Sequence, residues 1–254
     1  MTDAAIMLRR NLRHTVRNPS AITMTVAMPV LLLLLFVGVF GGTLNAGFGA
    51  ARTGDYIDYV VAGVLIMTIG YGATTTALAV NRDMTAGIIN RFRTMAIPRS
   101  AVLTGHVLGS AARTLLSAAL VVVVALALGF RPGGDPLRQL GAAGLIALLT
   151  VALTWLGVAV GLASPTAEGT GPFTLAVQLL PFLSSAFVPP DAMSGVVRWF
   201  AGHEPYTPVI DSLRGLMLGT PVGDDGVIAV VWCLVLAALG YVWARLLFRR
   251  DPDR

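Results

Sequence analysis

An all-α integral membrane protein is the fold class this sequence predicts, and three observations carry the prediction. Of 254 residues, 56% are hydrophobic and only 12% are charged, where a soluble domain carries about 25% charged residues. The mean hydropathy is +0.77. The apolar residues gather into six runs close to the roughly 20 residues an α-helix needs to cross the hydrocarbon core. The expected architecture is one domain of six transmembrane helices. An amphipathic interfacial helix precedes them, a short helix lies between spans two and three, and short re-entrant helices lie between spans five and six.

Residues 1–20 form the first element. Leu8, Leu12 and Val16 recur every four residues, and Arg9, Arg10, Arg13 and Arg17 crowd the other faces. Such a helix lies in the headgroup plane and suits anionic lipid. Asn18-Pro19 ends it, because the residue before a proline is pushed out of the helical region. The first span, 21–40, belongs to a stretch uncharged from Asn18 to Ala51. That is much longer than the roughly 7–15 residue core of a signal sequence, so it reads as a retained span. The second span covers 59–80.

Segment 81–107 reads NRDMTAGIINRFRTMAIPRS over its first twenty residues. Asp83 is a fitting N-cap, and Met84, Ile88, Phe92 and Met95 make a stripe at helical spacing. Arg91 and Arg93 lie off the stripe, and Ile97-Pro98 closes the helix. Gly87 costs about 1 kcal/mol of helix propensity, which marks a bend or a close approach. A topology signal needs only the arginines; the apolar stripe points to a docking face.

The third span covers 108–130, with Arg113 near its start, where a long side chain can snorkel to the headgroups. The fourth covers 139–163. The fifth, 172–188, is short and stops at Pro189-Pro190. In the 189–226 segment Met193, Val196, Val197 and Phe200 make one apolar stripe. Val209, Ile210, Leu213, Leu216 and Met217 make a second, with Asp211 and Arg214 at i,i+3 on its polar side. Two amphipathic helices folded back against the outer leaflet fit best, with Trp199, Phe200 and Tyr206 at the interface. Span six covers 227–248. Pro29, Pro172 and Pro181 are sites for kinks. Gln178, Pro181, Ser184 and Ser185 either line a substrate path or make polar contacts between helices.

Charge orients the spans. Twelve arginines fall on the side holding both termini and segment 81–107, and five on the other. The positive-inside rule then puts both termini in the cytoplasm. All 18 basic residues are arginine. A P-loop needs its lysine to reach the terminal phosphates, so this chain has none to offer. Cys233 is the single cysteine, which excludes an internal disulfide and a cysteine-rich metal site. No acidic residue falls inside a predicted span, which argues against a proton- or ion-coupled carrier or channel. Ser110 near His106 is the nearest approach to a nucleophile and base, but no oxyanion motif accompanies it.

Across essentially its whole length the chain resembles the membrane subunits of type-2 ABC exporters, especially the daunorubicin-resistance-type permeases of actinobacteria. The resemblance rests on Asp83…Gly87…Arg91-Phe92-Arg93…Ile97-Pro98-Arg99…Gly105, on Ser184-Ser185-Ala186-Phe187-Val188-Pro189, and on Trp199-Phe200…Glu204-Pro205-Tyr206-Thr207-Pro208…Asp211…Leu213-Arg214. His106 and Glu204 depart from its usual pattern. The resemblance implies a permease in the bacterial cell membrane that works as a dimer with a second copy or a homologous permease. Two separate ATPase subunits would bind ATP and Mg, with no cofactor on this chain and no nucleic acid. It also implies a coupling helix carrying Asp83, Gly87, Ile88, Arg91, Phe92, Arg93, Pro98 and Arg99, an elbow helix carrying Leu8, Arg9, Leu12 and Arg13, and a hydrophobic or amphipathic cargo.

Overall fold

A computed structural model describes residues 19–40, 56–85 and 99–249, and no strand occurs among them. The helices are α1 (Pro19–Leu35, continued by a π-helical turn Phe36–Phe40), α2 (Tyr56–Thr85), α3 (Arg99–Ala127), α4 (Pro136–Ala163), α5 (Gly171–Leu179), α6 (Gly195–His203), α7 (Tyr206–Leu218) and α8 (Asp225–Arg249). Among the described residues, four helical stretches are long and apolar enough to cross a membrane: Tyr56–Thr85, Val107–Ala127, Pro136–Ala163 and Asp225–Phe248. The expected first span lies within α1 and its π turn. The elbow residues Leu8, Arg9, Leu12 and Arg13 lie outside the described residues.

α2 is the central helix, packed by α1, α3, α4, α5 and α7, while α8 packs on α4. Small residues allow this. A Cβ on Gly157 would come 2.5 Å from the Ala73 carbonyl oxygen, and one on Gly161 would come 2.5 Å from that of Ala77. The two helices therefore run parallel, with Gly-x₃-Gly of α4 seated on Ala-x₃-Ala of α2, the small-residue packing typical of membrane helices.

Helix ends differ from the expectation where side chains find partners. α2 runs on to Thr85, so Asp83 lies in its last turn and is not the N-cap of a following helix. The extension is held by Asn81, fully buried, whose side-chain amide donates to the carbonyls of Ser164 (2.6 Å) and Gly161 (3.4 Å) at the end of α4. Met84, expected on the docking stripe, instead packs with Val80, Val107, Val158, Ala159, Ala244 and Phe248. α3 starts at Arg99, well before residue 108. Pro172 sits in the first turn of α5, where its missing N–H costs nothing, and so starts the helix and does not kink it.

The fifth segment is the largest departure. α5 ends at Leu179, and Leu180–Leu183 is a 3₁₀ turn with Pro181 in its first turn. These 13 helical residues are fewer than the roughly 20 a full crossing takes. α7 fills the space beyond. At its C-terminal end the Met217 carbonyl accepts from the N–H groups of Gly133 and Gly134 (3.1 and 3.2 Å) and from the Gln139 amide (2.9 Å), next to the start of α4. Gly219, at φ +78°, closes that end, a conformation glycine adopts without a Cβ clash. The N-terminal end, Tyr206, lies beside Leu149 and Leu153, well along α4. α7 therefore lies inside the bundle, alongside α4, and not on its surface. Val209, Ile210, Leu213 and Met217 are core residues, and so is Tyr206, which was expected at the interface. α6 keeps the surface role, with Trp199 64% exposed.

Candidate functional site

The described residues with the densest polar chemistry lie where the start of α2, the turn after α5 and α7 meet. Pro181 hands the chain from α-helix to 3₁₀ turn, and the buried Ser184 hydroxyl fixes the residues on either side of it. It donates to the Pro181 carbonyl (2.7 Å) and accepts from the Ala186 N–H (3.2 Å). Gly63 of α2 lets this turn press in, since a Cβ there would stand 2.8 Å from that of Ala186.

Arg214 of α7 then bridges all three segments. Its guanidinium donates to the Ser185 carbonyl (2.8 Å), the Tyr59 carbonyl (3.3 Å) and the Asp211 carboxylate (2.6 Å). The guanidinium carbon sits 3.7 Å from the centre of the Tyr59 ring, a cation–π contact. The Tyr59 hydroxyl donates to the same Ser185 carbonyl (2.8 Å), and the Ser185 hydroxyl donates to Asp211 (2.8 Å). The Ser185 N–H donates to the Thr207 hydroxyl (3.2 Å). Arg214 is 15% and Asp211 30% exposed. The Asp211–Arg214 spacing was legible, but the pair is partly buried against α2 and the turn after α5 and does not lie on a polar outer face.

Glu204 sits below, 5% exposed. Its carboxylate accepts from the backbone N–H groups of Tyr206 (2.7 Å) and Thr207, so it satisfies the free donors at the start of α7. A negative group there also complements the helix dipole. α7 thus brings two carboxylates into the bundle, which counting acids within spans missed. Both are engaged: Glu204 by the end of α7, and Asp211 by Arg214 and Ser185.

Of the four residues expected on a substrate path, Pro181, Ser184 and Ser185 belong to this turn and are buried, and Gln178 is half-buried on α5 outside the network. Most of the expected docking residues, namely Gly87, Ile88, Arg91, Phe92, Arg93 and Pro98, lie outside the described residues, and Arg99 opens α3. Ser110, the nearest approach to a nucleophile, accepts a hydrogen bond from Arg113 (3.3 Å). Of the network members, Tyr59 was not singled out by sequence, and Glu204 and Thr207 entered only through the motif that carries the family resemblance, with no role given to either. The one available signal was Glu204 at the head of a proline-punctuated helix start, Glu204-Pro205-Tyr206-Thr207-Pro208.

The network locks a short helix, broken at Pro181, and α7 onto the central helix α2. The chain belongs to the ABC-2 type transporter family, whose pattern matches residues 2–218, and is a multi-pass membrane permease of that class. It is 31% identical over 225 residues to a daunorubicin resistance ABC transporter permease of Streptomyces coeruleorubidus, covering 88% of this chain and 77% of the relative. It is 22% identical over 248 residues to a protein of Mycobacterium tuberculosis named as a probable doxorubicin resistance ABC transporter permease, covering 95% and 88%.

Proposed function

We propose that this chain is the export subunit of an ATP-driven transporter that moves a hydrophobic or amphipathic molecule, such as a drug, an antibiotic or a lipid, out across the bacterial cell membrane. The observation that carries this reading is the likeness, over most of both chains, to a daunorubicin resistance permease. In this reading six segments cross, with α1 as the first and α5 completed by the re-entrant pair as the fifth, and both termini face the cytoplasm. Two copies, or this chain and a homologous permease, pair with two ATPase subunits that hold ATP and Mg; the absence of lysine leaves this chain without a P-loop.

Energy enters at segment 81–107. Ile88 and Phe92 fill a groove on the ATPase, and Arg91, Arg93 and Arg99 pair with its acidic groups. The entry to this segment is tied to the end of α4 by Asn81, so a push there reaches the bundle. The Arg214 network is the outward closure, which must part for cargo to leave.

The test replaces Ile88 and Phe92 together by Asp in cells that co-express the ATPase. Loss of co-purification and of efflux, with the protein still in the membrane, is expected. Survival of both would remove the docking role. Efflux that follows the proton gradient and not the ATPase would remove the ATP-driven reading.

A further inference from the structure

A cavity of about 120 Å³ lies among α4, α5, α7 and α8, apart from the Arg214 network. Its floor is Leu149, Leu153, Val177, Tyr206, Val209 and Cys233, all between 0% and 5% exposed. Its rim is Phe173 on α5, Leu180 at the start of the 3₁₀ turn, and Trp232 and Leu236 on α8, all partly exposed. No charged side chain lines it. α5 packs on α2 while α8 packs on α4, which leaves the opening between α5 and α8 on the flank of the bundle. That flank continues into Leu175 and Leu179 of α5 and Val235 and Leu239 of α8, all exposed and apolar.

We propose that this cavity holds the end of a membrane-lipid acyl chain. Three features select that occupant. The opening lies on an exposed apolar flank of helices with the hydropathy of membrane spans, and the solvent of such a flank is acyl chain. An apolar cavity of about 150 Å³ stays dry and takes a guest the size of benzene, so a cavity of this volume takes the last few carbons of a chain and excludes water. No charged group waits to orient a headgroup, so the headgroup stays at the interface. The floor includes Tyr206 and Val209 at the inner end of α7, so a bound chain end props that helix from the side opposite its Arg214 contacts.

The experiment uses the full chain reconstituted in vesicles of a phosphatidylcholine that carries a diazirine at the end of one acyl chain. After illumination, mass spectrometry maps the adducts. Labels at Leu234 and Leu239, both exposed, are expected in any case. The proposal expects further labels on the floor, at Leu153, Tyr206, Val209 or Cys233, while equally buried Ile66 of α2 stays unlabelled. Val177→Trp fills the cavity and should remove the floor labels without changing those at Leu234 and Leu239, which also report that the variant is folded. If that variant fails to accumulate, Leu153→Phe serves. Labels confined to exposed residues, or floor labels that survive filling, overturn the proposal. Floor labels that saturating daunorubicin removes would make this a cargo site and equally overturn it.

Discussion

Arg214 donates to two main-chain carbonyls, one in α2 and one after α5, and to a carboxylate on its own helix. Only a planar fork reaches three acceptors in this way; lysine offers the charge without the fork. Arg214→Ala should lower stability by about 2–3 kcal/mol, towards the low end because Asp211 keeps some solvent. Arg214→Lys should fall between that variant and the parent. Combining Arg214→Ala with Asp211→Asn should cost less than Arg214→Ala alone, since no carboxylate is then left without its cation. Thermal unfolding in detergent ranks the variants, and a double variant no better than the single one would show that the ion pair matters little.

At the scale of elements, the α2–α4 contact depends on having no side chain at two positions. Gly157→Ala or Gly161→Ala places a Cβ 2.5 Å from a carbonyl oxygen and should cost about 1–3 kcal/mol as the helices part. Gly144→Ala on the same helix meets nothing within 4 Å and should be neutral or slightly stabilising by helix propensity. Equal effects of the two kinds of variant, read as folded yield and unfolding midpoint, would rule out the close-approach account. The same helices show what the sequence makes legible. Long apolar runs announce α2, α3, α4 and α8 because composition alone sets membrane solubility. The stripe of α7 announces a helix but not its destination, since Val209, Ile210, Leu213 and Met217 suit a leaflet surface and a bundle interior equally well. Segment 172–188 is uncharged and mostly apolar, so hydropathy reads a whole span; the helix stops early because Pro181 breaks the hydrogen-bond ladder and Ser184 bonds back to the Pro181 carbonyl. Met84 continues the period of Ile88 and Phe92, yet packs inward, because periodicity cannot mark where one helix ends and another begins.

At the scale of the whole molecule, the proposed reading has cargo leave at the clamped end, which requires the turn after α5 to separate from α7, and has ATP turned over by another chain. The two can therefore be uncoupled from outside. The Ser185 N–H lies 3.2 Å from the Thr207 hydroxyl, which puts the two residues side by side. Ser185→Cys with Thr207→Cys, in a background where Cys233→Ala removes the only other thiol, should form a bond that pins the turn to α7. In the oxidised protein efflux should stop, and a reductant should restore it to the level of the unoxidised variant. Membrane insertion and ATPase binding should be unchanged in both states, because the bond lies beside the start of α2 and segment 81–107 begins at its other end. Full efflux with the disulfide shown to be formed would mean that the exit lies elsewhere, and that the Arg214 network is a fixed strut and not a closure.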